Sequence, residues 1–265
     1  MSAAPETQSS AARLVHYASG ANVSERSAAP PSLAISTVIF ALRPSESSGR
    51  PTLWLPLVRR IREPFKGLWA LPGGPLSHHE SLVDAAGRNL LETTGLRPRF
   101  LEQLYAFGGL QRSTAKSVTA QRVVSIVYWA LVQATEAQIT KCDENVSWIR
   151  ADRLPELAFD HQEIVEYALW RLRNKIEYGS IAYHFLGEKF TLAQVREVYE
   201  AVLGKQLDPA NFRRQLKATV DIEATDEYLQ GGKHRPPRLY RYTGNTEIFS
   251  QNQRASAPQD IEGIS

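Results

Sequence analysis

The 265-residue chain, 43% hydrophobic and 22% charged, is long enough for one or two domains with sizeable cores. A net charge of +3 permits an anionic partner without demanding one, and the single cysteine, Cys142, excludes an intrachain disulfide and a cysteine-based metal cluster. No apolar run approaches the ~20 residues of a membrane span and the N-terminus lacks a signal-peptide layout, so a cytoplasmic location is expected.

Residues 1–30 are rich in Ala, Ser and Pro and read as a disordered tail. Residues 31–170 follow as a domain of alternating strands and helices, an α/β (α+β) pattern. Leu33–Leu42 and Thr52–Val58 are apolar, β-branched runs, the second broken by Pro56. Pro72-Gly73-Gly74 predicts a tight turn before a helix spanning Glu80 to Thr94, which Gly95 ends in a left-handed conformation. Val123–Val132 reads as a strand buried on both faces, and the apolar spacing from His161 to Ile176 as a helix.

The segment 74–96, GPLSHHESLVDAAGRNLLETTGL, carries the chemistry. Gly74, Glu80, Arg88, Leu90, Glu92, Gly95 and Leu96 occupy the spacing of a Nudix box, in which a helical face of carboxylates holds divalent cations that clamp a pyrophosphate. Two acidic positions are replaced, by Asn89 and Thr93. Positions 88, 89, 92 and 93 share one helical face, and only Glu92 still contributes a negative charge to it. The residues have structural uses as well: Ser77-x-x-Glu80 forms a capping box, and Arg88 and Glu92 a solvated ion pair. Catalysis and a metal are therefore not expected, although the retained Glu80, Arg88 and Glu92 keep a divergent pyrophosphatase as the alternative. His78 and His79 lack zinc-ligand spacing.

The pattern changes near residue 171. Thr191 caps a helix Leu192–Leu203 closed by Gly204, and Asp208 caps a second helix whose first residue is Pro209. On that second helix Phe212 and Leu216 face inward, leaving Asn211, Arg213, Arg214 and Lys217 for base edges and phosphates. Val220–Leu229, a Gly231-Gly232 turn and Pro236–Tyr242 follow as a hairpin carrying Lys233, His234, Arg235, Arg238 and Arg241, a basic wing. Two helices and a hairpin at this spacing predict a winged helix-turn-helix over 171–244, with a second disordered tail at 245–265. A basic face on an oligomerisation or protein-binding module fits the same spacing.

The chain resembles the NrtR-type Nudix-related transcriptional regulators. The residues that carry this are Leu157-Ala158-Phe159-Asp160-His161, the run from Phe190 to Leu203, Asn211-Phe212-Arg213-Arg214, and Pro237 to Arg241. The resemblance implies a homodimeric repressor of NAD synthesis or salvage genes, bound to palindromic duplex DNA in the nucleoid. It also implies a non-hydrolytic Nudix pocket that senses ADP-ribose and needs no cofactor. Arg59, Gly73, Gly74, Arg112 and Arg122 are the candidate ligand-binding residues. The loop after Phe107-Gly108 departs from the family: it reads GLQRSTAKSVTAQR and lacks an Asp-Pro.

Overall fold

A computed structural model of the chain describes residues 31–96, 100–113, 122–133, 144–178, 180–217, 221–230 and 236–244. The expected tails, the Gly231-Gly232 turn, Cys142, Lys233, His234 and Arg235 lie outside the described residues.

The described strands of the first part form a mixed sheet in the order β3-β2-β1-β6-β5, with β4 on β1 and β7 on β2. The strands are β1 (Ser32–Pro44), β2 (Pro51–Arg59), β3 (Trp69–Ala70), β4 (Gly73–Pro75), β5 (Phe100–Phe107), β6 (Val123–Val132) and β7 (Val146–Arg150). Its spine is the parallel pairing of β1 with β6, in register from Ser32↔Val123 to Ala41↔Val132. Side chains alternate across this spine as the strand period requires. Ile39, Ala41, Ala130 and Val132 pack on one face beneath Leu90 of helix α1 (Leu82–Thr94), with Ile35 beneath Ala85 and Ala86. Val38, Phe40, Leu42, Val127, Trp129 and Leu131 pack on the other, against Ile164, Val165, Ala168 and Leu172 of helix α2 (His161–Tyr178). Burial of such a side chain is worth roughly 1.5–3 kcal/mol each.

Three local expectations are corrected. Pro56 does not break β2: the β1–β2 register ends at Ala41↔Trp54, and at Pro56 the strand is paired with β7 alone. A residue without an N–H is tolerated where one ladder is open. Gly73 and Gly74 form no turn but strand β4, paired Gly73↔Ser36 and Gly74↔Ile35. A Cβ on Gly73 would lie 2.5 Å from the Ile35 carbonyl oxygen, so only glycine allows the strands this close. The α1 cap is Ser81 rather than Ser77: its hydroxyl accepts from the Asp84 N–H, and the helix starts at Leu82. Gly95 closes it at φ 73°.

The second part contains α3 (Leu192–Leu203), α4 (Pro209–Lys217) and a hairpin of β8 (Ile222–Tyr228) and β9 (Arg238–Tyr242). Thr191 and Gln194 form a capping box on α3, and Asp208 accepts from the Asn211 N–H at the start of α4. Phe190 exchanges backbone hydrogen bonds with Tyr240, so the segment before α3 becomes a third rung of the wing. Phe190, Val195 and Leu216 form a small core with Tyr183, Phe212 and Tyr242. Residue 171, the expected boundary, lies inside unbroken α2. Val198 and Val202 of α3 join Leu53, Leu55 and Leu57 of β2 in the main core.

This shared core predicts coupled unfolding. Leu172→Ala, at a fully buried position, is expected to cost about 2–5 kcal/mol and to lower the stability of the winged helix along with the sheet. Urea titrations read by tryptophan fluorescence and by circular dichroism at 222 nm should coincide. Separated transitions would show that the two parts unfold independently.

Candidate functional site

The small side chains on the spine create a cavity. On the sheet face where Val38, Phe40 and Leu42 fill the core, the preceding same-face positions are Ala34 and Ser36, and on β6 Ser125 precedes Val127. These three line a cavity of about 840 Å³, together with Gly73 and Gly74 of β4. The size of the side chain decides between core and cavity along the same strand.

The rim is basic. Arg59, Arg60, Arg62 and Arg112 line it against one carboxylate, Glu63. Arg59 is exposed, with its Nε donating to the Gly67 carbonyl at 3.2 Å. Arg60 lies 4.6 Å over the Phe159 ring, and Phe65 packs edge-on against Phe159 at 4.8 Å. Both phenylalanines have left-handed backbone, φ 67° and 57°, and are more than a third exposed. Two accessible aromatic rings beside several guanidiniums suit a ligand with a flat base and phosphates.

Of the five expected ligand residues, Arg59, Gly73, Gly74 and Arg112 line the cavity and Arg122 does not. Arg122 sits just before β6 and donates to the Gly108 carbonyl at 3.2 Å. Arg112 is already engaged: it is ion-paired with Asp160 and donates to the Phe107 carbonyl at 2.6 Å. Phe159, Arg60 and His161 were missed. Phe159 and His161 belong to the Leu157–His161 motif that carries the family resemblance, a signal that named the segment without placing it at the pocket. His161 is buried, and its Nδ1 accepts from the Leu71 N–H at 2.9 Å.

The Nudix-box helix borders this cavity through Gly74, whose Cβ would meet Asn89 Oδ1 at 2.9 Å. Glu80 forms a two-pronged pair with Arg88, at 2.9 Å to Nε and 2.7 Å to Nη2. The Arg88 Nη1 donates to Asn89 Oδ1 at 3.1 Å and to Glu92 Oε2 at 3.3 Å. The guanidinium, helped by the Ser77 N–H, holds the Glu80 carboxyl down to about 2. Glu92 is 63% exposed, Thr93 is half-buried, and the buried Asn89 Nδ2 has no partner among the described residues. Hard cations take several oxygen ligands. Here the carboxylates surround an internal cation, and the amide adds a donor of the wrong polarity, so these residues do not fit a divalent metal. Among the described residues no group of three or more His, Cys, Asp or Glu comes together as a metal cluster.

In the winged helix, α4 presents Asn211, Arg213, Arg214 and Lys217 to solvent and carries no acidic residue. Arg214 donates to Asn211 Oδ1 at 2.8 Å, and among the described residues no carboxylate pairs with Arg213 or Lys217. Two arginines of the wing have acidic partners. Arg241 is paired with Glu223 at 2.8 Å and Arg238 with Asp226 at 3.2 Å, and Lys189 with Glu227. Residues 221–242 hold four acidic residues beside four Lys and Arg. Among the described residues, α4 is a basic element without an acidic side chain.

The pocket and box predict a pH response. Burial pulls His161 from 6.5 to about 4. A depressed histidine contributes stability that is full above pH 6.5 and lost as the pH falls toward 4, here about 3 kcal/mol. Glu80, also depressed, contributes stability that is lost as the pH falls from about 4.5 toward 2. Urea midpoints should drop between pH 6.5 and 4 in wild type and in Glu80→Gln alike. Below pH 4.5 the further loss should shrink in Glu80→Gln. A midpoint flat from pH 7 to 4 would contradict the buried neutral His161.

The NUDIX domain model matches residues 35–168, and the NrtR DNA-binding winged helix domain model residues 182–242. The chain is 33% identical over 213 residues to the ADPR responsive transcriptional repressor NtrR of Acinetobacter baylyi, covering 78% of this chain and 82% of that one. Over 116 residues it is 32% identical to an ADP-ribose pyrophosphatase of Methanocaldococcus jannaschii, covering 43% of this chain and 66% of the relative. Shewanella oneidensis NrtR, solved in complex with a 27mer DNA, aligns at a TM-score of 0.68 and 30% identity, over 82% of this chain and 95% of that structure. With both domain types matched in order along one chain, the protein belongs to the NrtR family, a Nudix domain followed by a DNA-binding winged helix.

Proposed function

We propose that the protein is a sequence-specific, DNA-binding transcriptional repressor whose Nudix cavity takes ADP-ribose as the effector that weakens DNA binding. The observation that carries the first half is α4, a capped, acid-free helix exposing Asn211, Arg213, Arg214 and Lys217 in the second position of a helix-turn-helix. The cavity carries the second half: its arginine rim suits a diphosphate, and Phe159, which lines it and is backed by Phe65, suits a base. The A. baylyi relative is described as ADPR responsive, which agrees with this chemistry. Genes of NAD synthesis or salvage are the targets that family membership suggests.

The repressor acts as a homodimer on a palindrome. Two copies of α4 related by a two-fold axis reach successive major grooves ~34 Å apart, so each half-site takes one helix. No transmembrane route is part of this reading; no described helix is long and apolar enough to cross a membrane.

Hydrolysis is absent in this reading, because Asn89 and Thr93 leave Glu92 as the one acid on its helical face, and Arg88 donates to it at 3.3 Å. The second reading, a divergent pyrophosphatase, is favoured by the likeness to the M. jannaschii enzyme over the Nudix part. Turnover of ADP-ribose with Mg²⁺ or Mn²⁺ that disappears in Glu92→Gln would support it.

Two variants test the main reading. Arg213→Ala with Arg214→Ala should weaken binding to an operator duplex by about 1–3 kcal/mol per lost base contact; wild-type gel shifts from this variant would show α4 is not the reading helix. Ala34→Leu fills the cavity floor. It should abolish ADP-ribose binding by calorimetry while leaving the operator shift intact and no longer reversed by ADP-ribose. Retained binding would place the effector elsewhere.

A further inference from the structure

We propose that Glu223 and Asp226 set the ratio of specific to non-specific DNA binding, by holding Arg241 and Arg238 in exposed ion pairs that open only to correctly placed phosphates. The proposal rests on the DNA-binding reading above and adds residues that act against binding.

The arrangement is regular. Glu223 and Arg241 are direct cross-strand partners in the β8–β9 register, with an Nη2–Oε2 distance of 2.8 Å and a second contact from Nε at 3.3 Å. Arg238 crosses to Asp226 at 3.2 Å and donates from Nε to the Thr225 carbonyl at 2.6 Å. A third pair, Lys189 to Glu227, joins the segment before α3 to the same strand. All these side chains are exposed, Asp226 most of all. No folding requirement for a buried pair explains them, and pairs this exposed are weak.

Two consequences follow from charge. Non-specific affinity for duplex DNA comes almost entirely from phosphate neutralisation. Strands whose two described arginines, Arg238 and Arg241, are matched by carboxylates offer little of that attraction, and their acids repel a duplex docked in the wrong register. At the operator, α4 fixes the register, phosphates displace the carboxylates from Arg238 and Arg241, and the weakness of the pairs keeps that exchange inexpensive. Discrimination thus comes partly from a repulsive element aimed at wrong sequences.

The test uses the full chain and two fluorescent duplexes, one carrying the operator and one with the same bases scrambled. Glu223→Gln with Asp226→Asn should raise affinity for the scrambled duplex about tenfold and steepen its log K against log salt slope by roughly one to two, for two unmasked arginines. Operator affinity should rise less, so the ratio falls. Arg238→Gln with Arg241→Gln should instead lower operator affinity and flatten the slope. If the pairs serve only the hairpin's structure, both double variants will shift DNA binding in the same direction, which overturns the proposal. It is also overturned if the Glu223/Asp226 variant unfolds at the wild-type temperature and binds the scrambled duplex with unchanged affinity and slope. Wild type that binds neither duplex in a salt-dependent manner would refute the DNA-binding reading itself, a result distinct from both.

Discussion

The parallel pairing of β1 with β6 is the constraint on which the rest depends. Ten consecutive residue pairs run from Ser32↔Val123 to Ala41↔Val132. Large apolar side chains on both faces of the later pairs seat α1 on one side and α2 on the other. The earlier pairs carry Ala34, Ser36 and Ser125, and there the same sheet face opens into the cavity. Gly73 closes in because nothing larger fits between β4 and β1, and Gly74 because Asn89 of α1 occupies the space a Cβ would take. One strand pair therefore sets core, floor and wall.

The same core reaches the DNA-facing end. Val198 and Val202 lie with β2 and α2 in one cluster, and α4 follows α3 after a short turn in which the Leu207 N–H donates to Glu200. Coupling between distant sites needs elements with alternative arrangements that both sites bias. Here α2 begins at His161, in the cavity wall, and continues past residue 171 to Tyr178, and the 3-10 helix Ser180–Phe185 precedes the winged helix. In the proposed reading, a ligand pressing on Phe159 or Arg112 would act at the start of α2. Asp160, which accepts from Arg112, sits one residue before it. An effector phosphate competing for Arg112 would alter the anchoring of α2 directly.

Much of this was legible in the sequence, and the reasons are physical. Continuous apolar, β-branched runs placed β1 and β6, helical spacing placed α2, and Thr191, Gly204, Asp208 and Pro209 marked the ends of α3 and α4 through cap chemistry that is local. What failed was non-local. Ser77 and Ser81 both offer a cap, and only the packing of α1 on Ile35 and Ile39 decides between them. Pro56 reads as a breaker unless the open ladder beside it is known. Strands β5 and β7 carry mixed burial and gave no clear alternation to read. At the pocket, the expected Arg59, Gly73, Gly74 and Arg112 line the cavity, whereas Arg60, Phe159 and His161 come to it from segments far apart in the sequence. At the wing, the acids that pair with Arg238 and Arg241 lie on the opposite strand, a pairing that only the strand register reveals.

The measurement closest to the central claim is selection from a random duplex pool at ~150 mM salt, where non-specific binding is already weakened, with and without ADP-ribose in the wash. The account predicts enrichment of one palindrome with half-sites a helical turn apart, and its loss from the protein when ADP-ribose is added. A pool that stays random would contradict sequence-specific recognition by α4, and a palindrome retained in full through the ADP-ribose wash would contradict the Nudix cavity as its sensor.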